Sequence, residues 1–150
     1  MNGKLIQILP RVMRGILAAI CFALLPACAS QQIIEHGIDV ETKGTVPVYD
    51  IQVLYGKEVI NFKGRRPPGS GGGWNAPMPV PEAMTVNWTV NRVRQQIMVP
   101  LKGKTSDTYL LKNWRLKFDG SDLELWREEQ TGPTNPTTGI QPRHQVKVYP

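Results

Sequence analysis

The stretch Trp114–Trp126, WRLKFDGSDLELW, decides the fold, because apolar and charged residues alternate on both sides of an Asp-Gly pair. Asp-Gly favours a two-residue type I′ turn, whose central residues both need a positive φ. The register that follows pairs Phe118 with Ser121, Lys117 with Asp122, Leu116 with Leu123, Arg115 with Glu124 and Trp114 with Leu125. It puts apolar pairs on one face and opposite charges on the other, as cross-strand neighbours prefer. The sequence therefore predicts a β-hairpin here.

The same alternation marks other short segments along the chain. Further strands are expected at 46–55, 58–62, 84–90, 93–99 and 144–149, with turns at Gly56-Lys57 and Asn91-Arg92. The segment 131–142 is rich in Gly and Pro and is expected to be a loop. About seven short strands without a convincing helix predict an all-β fold, a single small antiparallel β-sandwich or partly open barrel.

The first 27 residues have the pattern of a secretory signal. Positive charge comes first, at Lys4, Arg11 and Arg14, and an apolar run follows at 15–25. A membrane-spanning helix needs about 20 apolar residues, so this run is too short to stay in the bilayer as a permanent span. We expect residues 1–27 to be removed as a signal peptide.

The end of this run, Leu25-Pro26-Ala27-Cys28, resembles the lipobox of bacterial lipoproteins. The resemblance implies that the Cys28 thiol carries a lipid and that Cys28 becomes the mature N-terminus. Ala29 follows it rather than an aspartate, which favours the periplasmic face of the outer membrane. The alternative is an ordinary secretory signal cut near Ala27, which would leave a soluble periplasmic protein.

Removal of the signal also changes the charge and the cysteine content. The chain has 18 basic and 12 acidic residues, for a net charge of +6, and loss of the three basic signal residues leaves 15 against 12, or +3. Nucleic-acid binding therefore loses its main support. With Cys21 removed and Cys28 lipidated, no disulfide stabilises the mature domain. We expect a flexible tether at 28–45 and a β-domain at 46–150.

The residues that could support catalysis do not form a recognisable set. His36 and His144 have no acid or cysteine at a catalytic spacing, and both are expected at the surface. Glu128 and Glu129 are expected to form a solvated end. The glycines lack the spacing and following helix of a phosphate-binding motif, and Gly-x-Ser-x-Gly is absent. The sequence predicts no enzyme, no metal site and no cofactor.

The stretch 64–81, GRRPPGSGGGWNAPMPVP, is expected to be a long loop between two strands. Its prolines would stiffen the return and hold Trp74 outward, and arginine with tryptophan is common in protein interfaces. Arg65, Arg66, Trp74 and Asn75 are therefore the candidate partner-binding residues. A wider basic patch would include Arg65, Arg66, Arg92 and Arg94. In the alternative reading, the arginines only keep the loop soluble and Trp74 caps the sheet.

The mature chain also resembles a family of small proteobacterial lipoproteins classed as a domain of unknown function. The residues that carry the resemblance are the lipobox, the strand that ends in Gly56, the glycines 69–73, Met84–Trp88, Val99-Pro100 and Trp114–Phe118. Related sequences often have paired cysteines after the glycines. Here Trp74-Asn75-Ala76 stand in that place, so no thiol role is expected.

Members of that family are often found beside phospholipase effectors of the type VI secretion system, where they act as immunity proteins. The resemblance implies a lipid-anchored protein that neutralises such an effector in the periplasm. An inhibitor held at the membrane surface would meet a membrane-attacking lipase at high local concentration. The alternative from another class is a structural or envelope-assembly lipoprotein that contacts peptidoglycan or another envelope component.

Overall fold

The computed structural model describes residues 32–150, which form nine β-strands in two sheets and contain no helix. The strands are β1 (Ile33–Thr42), β2 (Val48–Tyr55), β3 (Glu58–Arg66), β4 (Gly71–Pro79), β5 (Ala83–Val90), β6 (Val93–Pro100), β7 (Leu110–Asp119), β8 (Asp122–Gln130) and β9 (Arg143–Tyr149). The predicted all-β class is confirmed, with two more strands than expected.

The strands form a five-stranded sheet in the order β4-β1-β7-β8-β9 and a four-stranded sheet in the order β3-β2-β5-β6. Both sheets are open, and their inward side chains share one core, so the molecule is a sandwich and not a closed barrel. Every strand pair is antiparallel except β1 with β7, which is parallel. The predicted antiparallel sandwich is thus confirmed and contains one parallel pair.

Aromatic side chains join the two sheets across the core. Trp88 of β5 packs edge-on against Phe118 of β7, with ring centroids 5.3 Å apart. The indole nitrogen of Trp88 donates a hydrogen bond to the Gly120 carbonyl at 3.0 Å, so its one polar atom is paired although the side chain is buried. Through its ring contact and its hydrogen bond, Trp88 holds the two sheets in a fixed position relative to each other.

The hairpin of β7 and β8 is confirmed, but its register differs from the predicted one. Asp119 pairs with Asp122, so the two turn residues are Gly120 and Ser121. Gly120 has a φ of +60°, as the first central residue of a type II′ turn does. Each residue keeps its predicted face, but its partner moves by two positions, and Lys117 now faces Glu124.

The expected tether at 28–45 is wrong from Ile33 onward. Residues Ile33–Thr42 form β1, which lies inside the five-stranded sheet between β4 and β7. Its inward residues Ile38 and Val40 are buried in the core. The segment is polar because its outward residues are polar, as expected for a strand with one buried face.

The stretch 64–81 is not a long loop, since β3 continues to Arg66 and most of the remainder is β4. Only Pro67–Ser70 connects the two strands. β4 is an edge strand, where Pro77 and Pro79 are tolerated because a proline need not donate to a second neighbour. Glycine is also required at position 73 of this strand, because a Cβ there would lie 2.5 Å from the Asp39 carboxylate.

The remaining strand predictions are confirmed. The Gly56-Lys57 turn joins β2 to β3, and β5 and β6 turn at Asn91 and Arg92, which both have positive φ. The last strand, β9, lies at a sheet edge beside β8. The predicted loop at 131–142 connects β8 to β9.

Candidate binding face

The outward side of the four-stranded sheet carries twelve side chains in three rows that run across the strands. We call this surface the ladder face. Its rows are Arg65–Tyr49–Thr89–Arg94, Asn61–Gln52–Asn87–Gln96 and Val59–Leu54–Thr85–Met98, each read from β3 to β6. The rows are respectively basic, amide-bearing and largely apolar. With strands about 4.8 Å apart, the outer residues of each row lie about 14 Å from each other.

The cations of the ladder face have no acidic partner. None of the ion pairs in residues 32–150 involves a residue of β2, β3, β5 or β6. These strands contain two acids, Asp50 and Glu58, and neither belongs to a row. Asp50 lies in a bulge, where its carboxylate accepts the Gly64 amide at 2.9 Å. Arg65 and Arg94 therefore present unpaired guanidinium groups to solvent.

The amide row holds an unpaired polar atom at its centre. Gln52 donates to the Asn61 side-chain oxygen at 3.1 Å, which orders one half of the row. Asn87 is only 4% exposed, and within the described chain its side-chain oxygen has no hydrogen-bond partner. An unpaired buried acceptor costs about 1–3 kcal/mol, so this position is not optimised for stability alone.

The outward side of the five-stranded sheet has the opposite electrostatic character, and we call it the ion-pair face. Arg115 lies 3.4 Å from Asp39 and 3.1 Å from Glu128. Glu128 also pairs with Arg143. Burial raises the pKa of Asp39, and the nearby charge of Arg115 opposes that rise. The charged side chains of this cluster therefore pair with each other.

A second cluster on the ion-pair face is built around Glu124. Lys43 and Lys147 donate to its two carboxylate oxygens at 2.8 and 2.9 Å, and Trp126 adds an indole N–H at 2.9 Å. These hydrogen bonds lower the pKa of Glu124 to about 2. Lys117 lies over the Trp126 ring, 4.3 Å from its centroid.

The four predicted binding residues lie in different places. Arg65 lies on the ladder face, together with Arg94 of the predicted basic patch. Arg66 turns inward at the sheet edge, where its guanidinium lies over Phe62 and donates to the Gly71 carbonyl at 3.0 Å. Arg92 is exposed in the β5–β6 turn.

Trp74 and Asn75 belong to the other sheet, on β4. Trp74 is half-buried. It pairs with Ile38 of the neighbouring strand β1, and its side chain packs against the core. Asn75 points outward on the ion-pair face, with its amide 3.4 Å from the Glu35 carboxylate. The structure therefore does not join these two residues to Arg65 in one surface. The lipidation site, Cys28, lies outside the described residues.

His36 was expected at the surface but is buried between the sheets in a chain of hydrogen bonds. Its Nδ1–H donates to the Ile34 carbonyl at 3.0 Å, and Nε2 accepts the Tyr55 hydroxyl at 2.8 Å. Trp114 donates to the same hydroxyl at 2.9 Å. Burial lowers the pKa of His36 and raises that of Tyr55. These hydrogen bonds link β1, β2 and β7, and they form with His36 and Tyr55 both neutral.

Glu128 and Glu129 were also expected in solvent, and both are buried. Glu128 is held by the arginines of the ion-pair face, while Glu129 points inward beside Arg127, at 2.8 Å. His144 is exposed, as expected. No local pattern predicts the burial of the two glutamates, because their partners come from β7, β8 and β9 together.

No group of three or more His, Cys, Asp or Glu side chains in residues 32–150 is placed to hold a metal ion. Within the same range, the chain has no helix that is both long and apolar enough to cross a bilayer.

In the described residues, one face thus has charges that pair with each other, and the other has cations without an acidic partner and one unpaired buried amide oxygen. Comparison of the chain with protein-family models, curated proteins and solved structures finds no match.

Proposed function

We propose that the protein is a lipid-anchored binding protein of the periplasm that captures a protein partner on the ladder face. The observation that carries the proposal is the row Arg65–Tyr49–Thr89–Arg94, where two unpaired guanidinium groups flank an aromatic ring. Arginine and tyrosine are enriched among residues that dominate binding energy. A guanidinium also binds a carboxylate through two parallel hydrogen bonds, which gives direction as well as affinity.

The expected partner has an acidic surface, because the ladder face has cations but no acid in its rows. Following the family resemblance, we propose a type VI secretion phospholipase effector as this partner and immunity as the biological role. The anchor at Cys28 would hold the protein on the periplasmic side of the outer membrane, where such an effector attacks lipid. In this role the protein carries out no catalytic step.

A matched pair of variants tests the proposal by calorimetry against any phospholipase effector encoded beside the gene. Arg65→Ala with Arg94→Ala removes two cations from the ladder face, and Lys43→Ala with Lys147→Ala removes two from the ion-pair face. We expect the first pair to weaken binding at least about tenfold and the second to change it less than about twofold. Lipase inhibition should fall in parallel. Equal losses in both variants, or no binding by the wild type, would contradict the proposal.

A second candidate is an envelope-assembly role with peptidoglycan as the ligand. The observation that favours it is the row of four amides, since side-chain amides both donate to and accept from sugar hydroxyls and peptide groups. Sedimentation with purified peptidoglycan separates the two roles. A deletion strain that shows an envelope defect when no effector is present would favour this second role.

A further inference from the structure

The directions of the strands place the start of the described chain at one end of the sandwich. β1 begins at this end with Ile33, and the connections 56–57, 80–82, 101–109 and 131–142 join strands whose termini lie there. We call it the N-terminal end. The opposite, far end carries the connections 43–47, 67–70, 91–92 and 120–121.

Exposed apolar side chains are concentrated at the N-terminal end. Four of the eight large ones in the described chain lie in its strand starts and loops, namely Ile33, Tyr109, Leu110 and Ile140. Three more, Leu54, Val59 and Met98, form the row of the ladder face nearest to this end. Only Val93 lies at the far end. The four side chains at the N-terminal end are also well exposed, with 67% for Ile33 and 66% for Ile140.

The N-terminal end is also open. A cavity of about 520 Å³ lies there between the start of β1 and the segment 105–110. Its lining includes Ile34, Val80 and Leu111, together with the hydroxyl-bearing Thr105 and Ser106. Two of the exposed apolar side chains at this end, Tyr109 and Leu110, also line the cavity. Exposed apolar groups that gather at one end of a domain, rather than lying singly over its surface, indicate a surface that is covered in use.

The length of chain before β1 limits what can cover this end. Three residues lie between Cys28 and Gln32, which makes four steps along the chain; at no more than about 3.5 Å per step, an extended chain spans about 14 Å in all. A lipid on Cys28 would therefore hold the N-terminal end within that distance of the bilayer. The sequence expectation of an 18-residue tether would have allowed the domain to stand well away from it.

We propose that the N-terminal end docks directly on the lipid bilayer, with Ile33, Tyr109, Leu110 and Ile140 at the level of the headgroups. The inference rests on the lipid attachment in the proposed function and adds the orientation of the domain. Apolar and tyrosine side chains are favoured at that depth, and a second hydrophobic contact supplements the anchor. The ladder face then stands upright on the membrane, with its apolar row lowest and its basic row farthest from the lipid.

The mature sequence allows a direct measurement, because its only cysteine, Cys28, is used by the lipid. Single variants Leu110→Cys and Ile140→Cys place a fluorescent label at the N-terminal end, and Arg92→Cys places it at the far end as a control. The lipidated full chain is reconstituted into phosphatidylethanolamine vesicles with a minority of phosphatidylglycerol and of lipid bearing a nitroxide near the headgroup. We expect quenching at positions 110 and 140 and none at 92, with the same result at high salt because the contact is apolar.

Mass spectrometry of the same samples separates the possible failures. Unmodified Cys28 would overturn the anchor, and with it both the localisation in the proposed function and this inference. Acylated Cys28 with no quenching at 110 or 140 would overturn the docking alone. Label-to-label quenching at 110 and 140 in vesicles without nitroxide would also overturn it, because the end would then be an interface between two copies.

Discussion

The two outward faces of the sandwich use charged residues in opposite ways. On the ion-pair face, Arg115 bridges Asp39 and Glu128, and Lys43 and Lys147 enclose Glu124. On the ladder face, cations and amides stand in rows without an acid among them. A charge that is already paired gains little from a new partner, whereas an unpaired one gains a full interaction. The first face therefore stabilises the fold with its charges, and the second is the face to which we assign the proposed binding.

The largest expected effect is on the ion-pair face. Arg115→Ala should lower the free energy of unfolding by about 3 kcal/mol, because Glu128, with a side chain only 3% exposed, loses one of its two cations. Urea denaturation measures this loss.

Arg94→Ala is the matched change on the ladder face, and it should shift the same free energy by less than about 0.5 kcal/mol. A loss as large as that of Arg115→Ala would show that Arg94 has a structural partner, and the contrast between the faces would not hold.

An intermediate effect is expected from acid. The folded state holds the pKa of Glu124 at about 2, against an ordinary value of 4.5. The stabilisation is therefore complete above pH 4.5 and is lost as the pH falls toward 2, because the unfolded chain binds the proton first. Since the side chains are partly exposed, the loss should be about 1 kcal/mol.

Urea denaturation across this pH range checks the effect, with Glu124→Gln as the comparison. The variant should lack the component between pH 4.5 and 2. It should keep the earlier loss below pH 6.5 that arises from His36, whose pKa is lowered by burial. An unchanged acid profile in Glu124→Gln would show that the cluster around Glu124 adds no stability.

The smallest expected effect is on the ladder face. Asn87→Val should raise the free energy of unfolding by a few tenths of a kcal/mol, because it removes an unpaired buried acceptor and introduces a β-branched residue that suits strands. Thermal denaturation with replicate measurements can resolve this change. A loss above about 1 kcal/mol would mean that the Asn87 amide is part of the structural framework.

The sequence predicts what is local in this fold. The hairpins of β2 with β3, β5 with β6 and β7 with β8 all follow from alternation and turn residues that lie next to each other in the chain. The turn at Gly120 shows the limit of that reasoning. Asp-Gly and Gly-Ser are both acceptable turn pairs, and the choice between them changes the cross-strand partners without changing the faces.

The missed elements depend on partners far away in the chain. β1 and β4 contain glycines and prolines that disfavour strands locally. They join a sheet only because β4 pairs with β1 and β1 pairs with β7. The proposed binding face is predicted only in part, for the same reason. The sequence places Arg65 and Arg94 in one basic patch, but Tyr49 and Thr89, which lie between them in the sheet, come from two other strands and are not predicted.

The parallel pair of β1 with β7 also constrains the order in which the domain assembles. Gly37 and Asn113 are partners although 76 positions separate them. β1 is the first of the nine described strands to be synthesised, and it must therefore wait for β7 until most of the remaining chain has followed. Such distant pairing slows folding, because a large loop must close before the contact forms. A chain interrupted before β7 leaves β1 with β4 as its only strand partner, so the other edge of β1 stays unpaired.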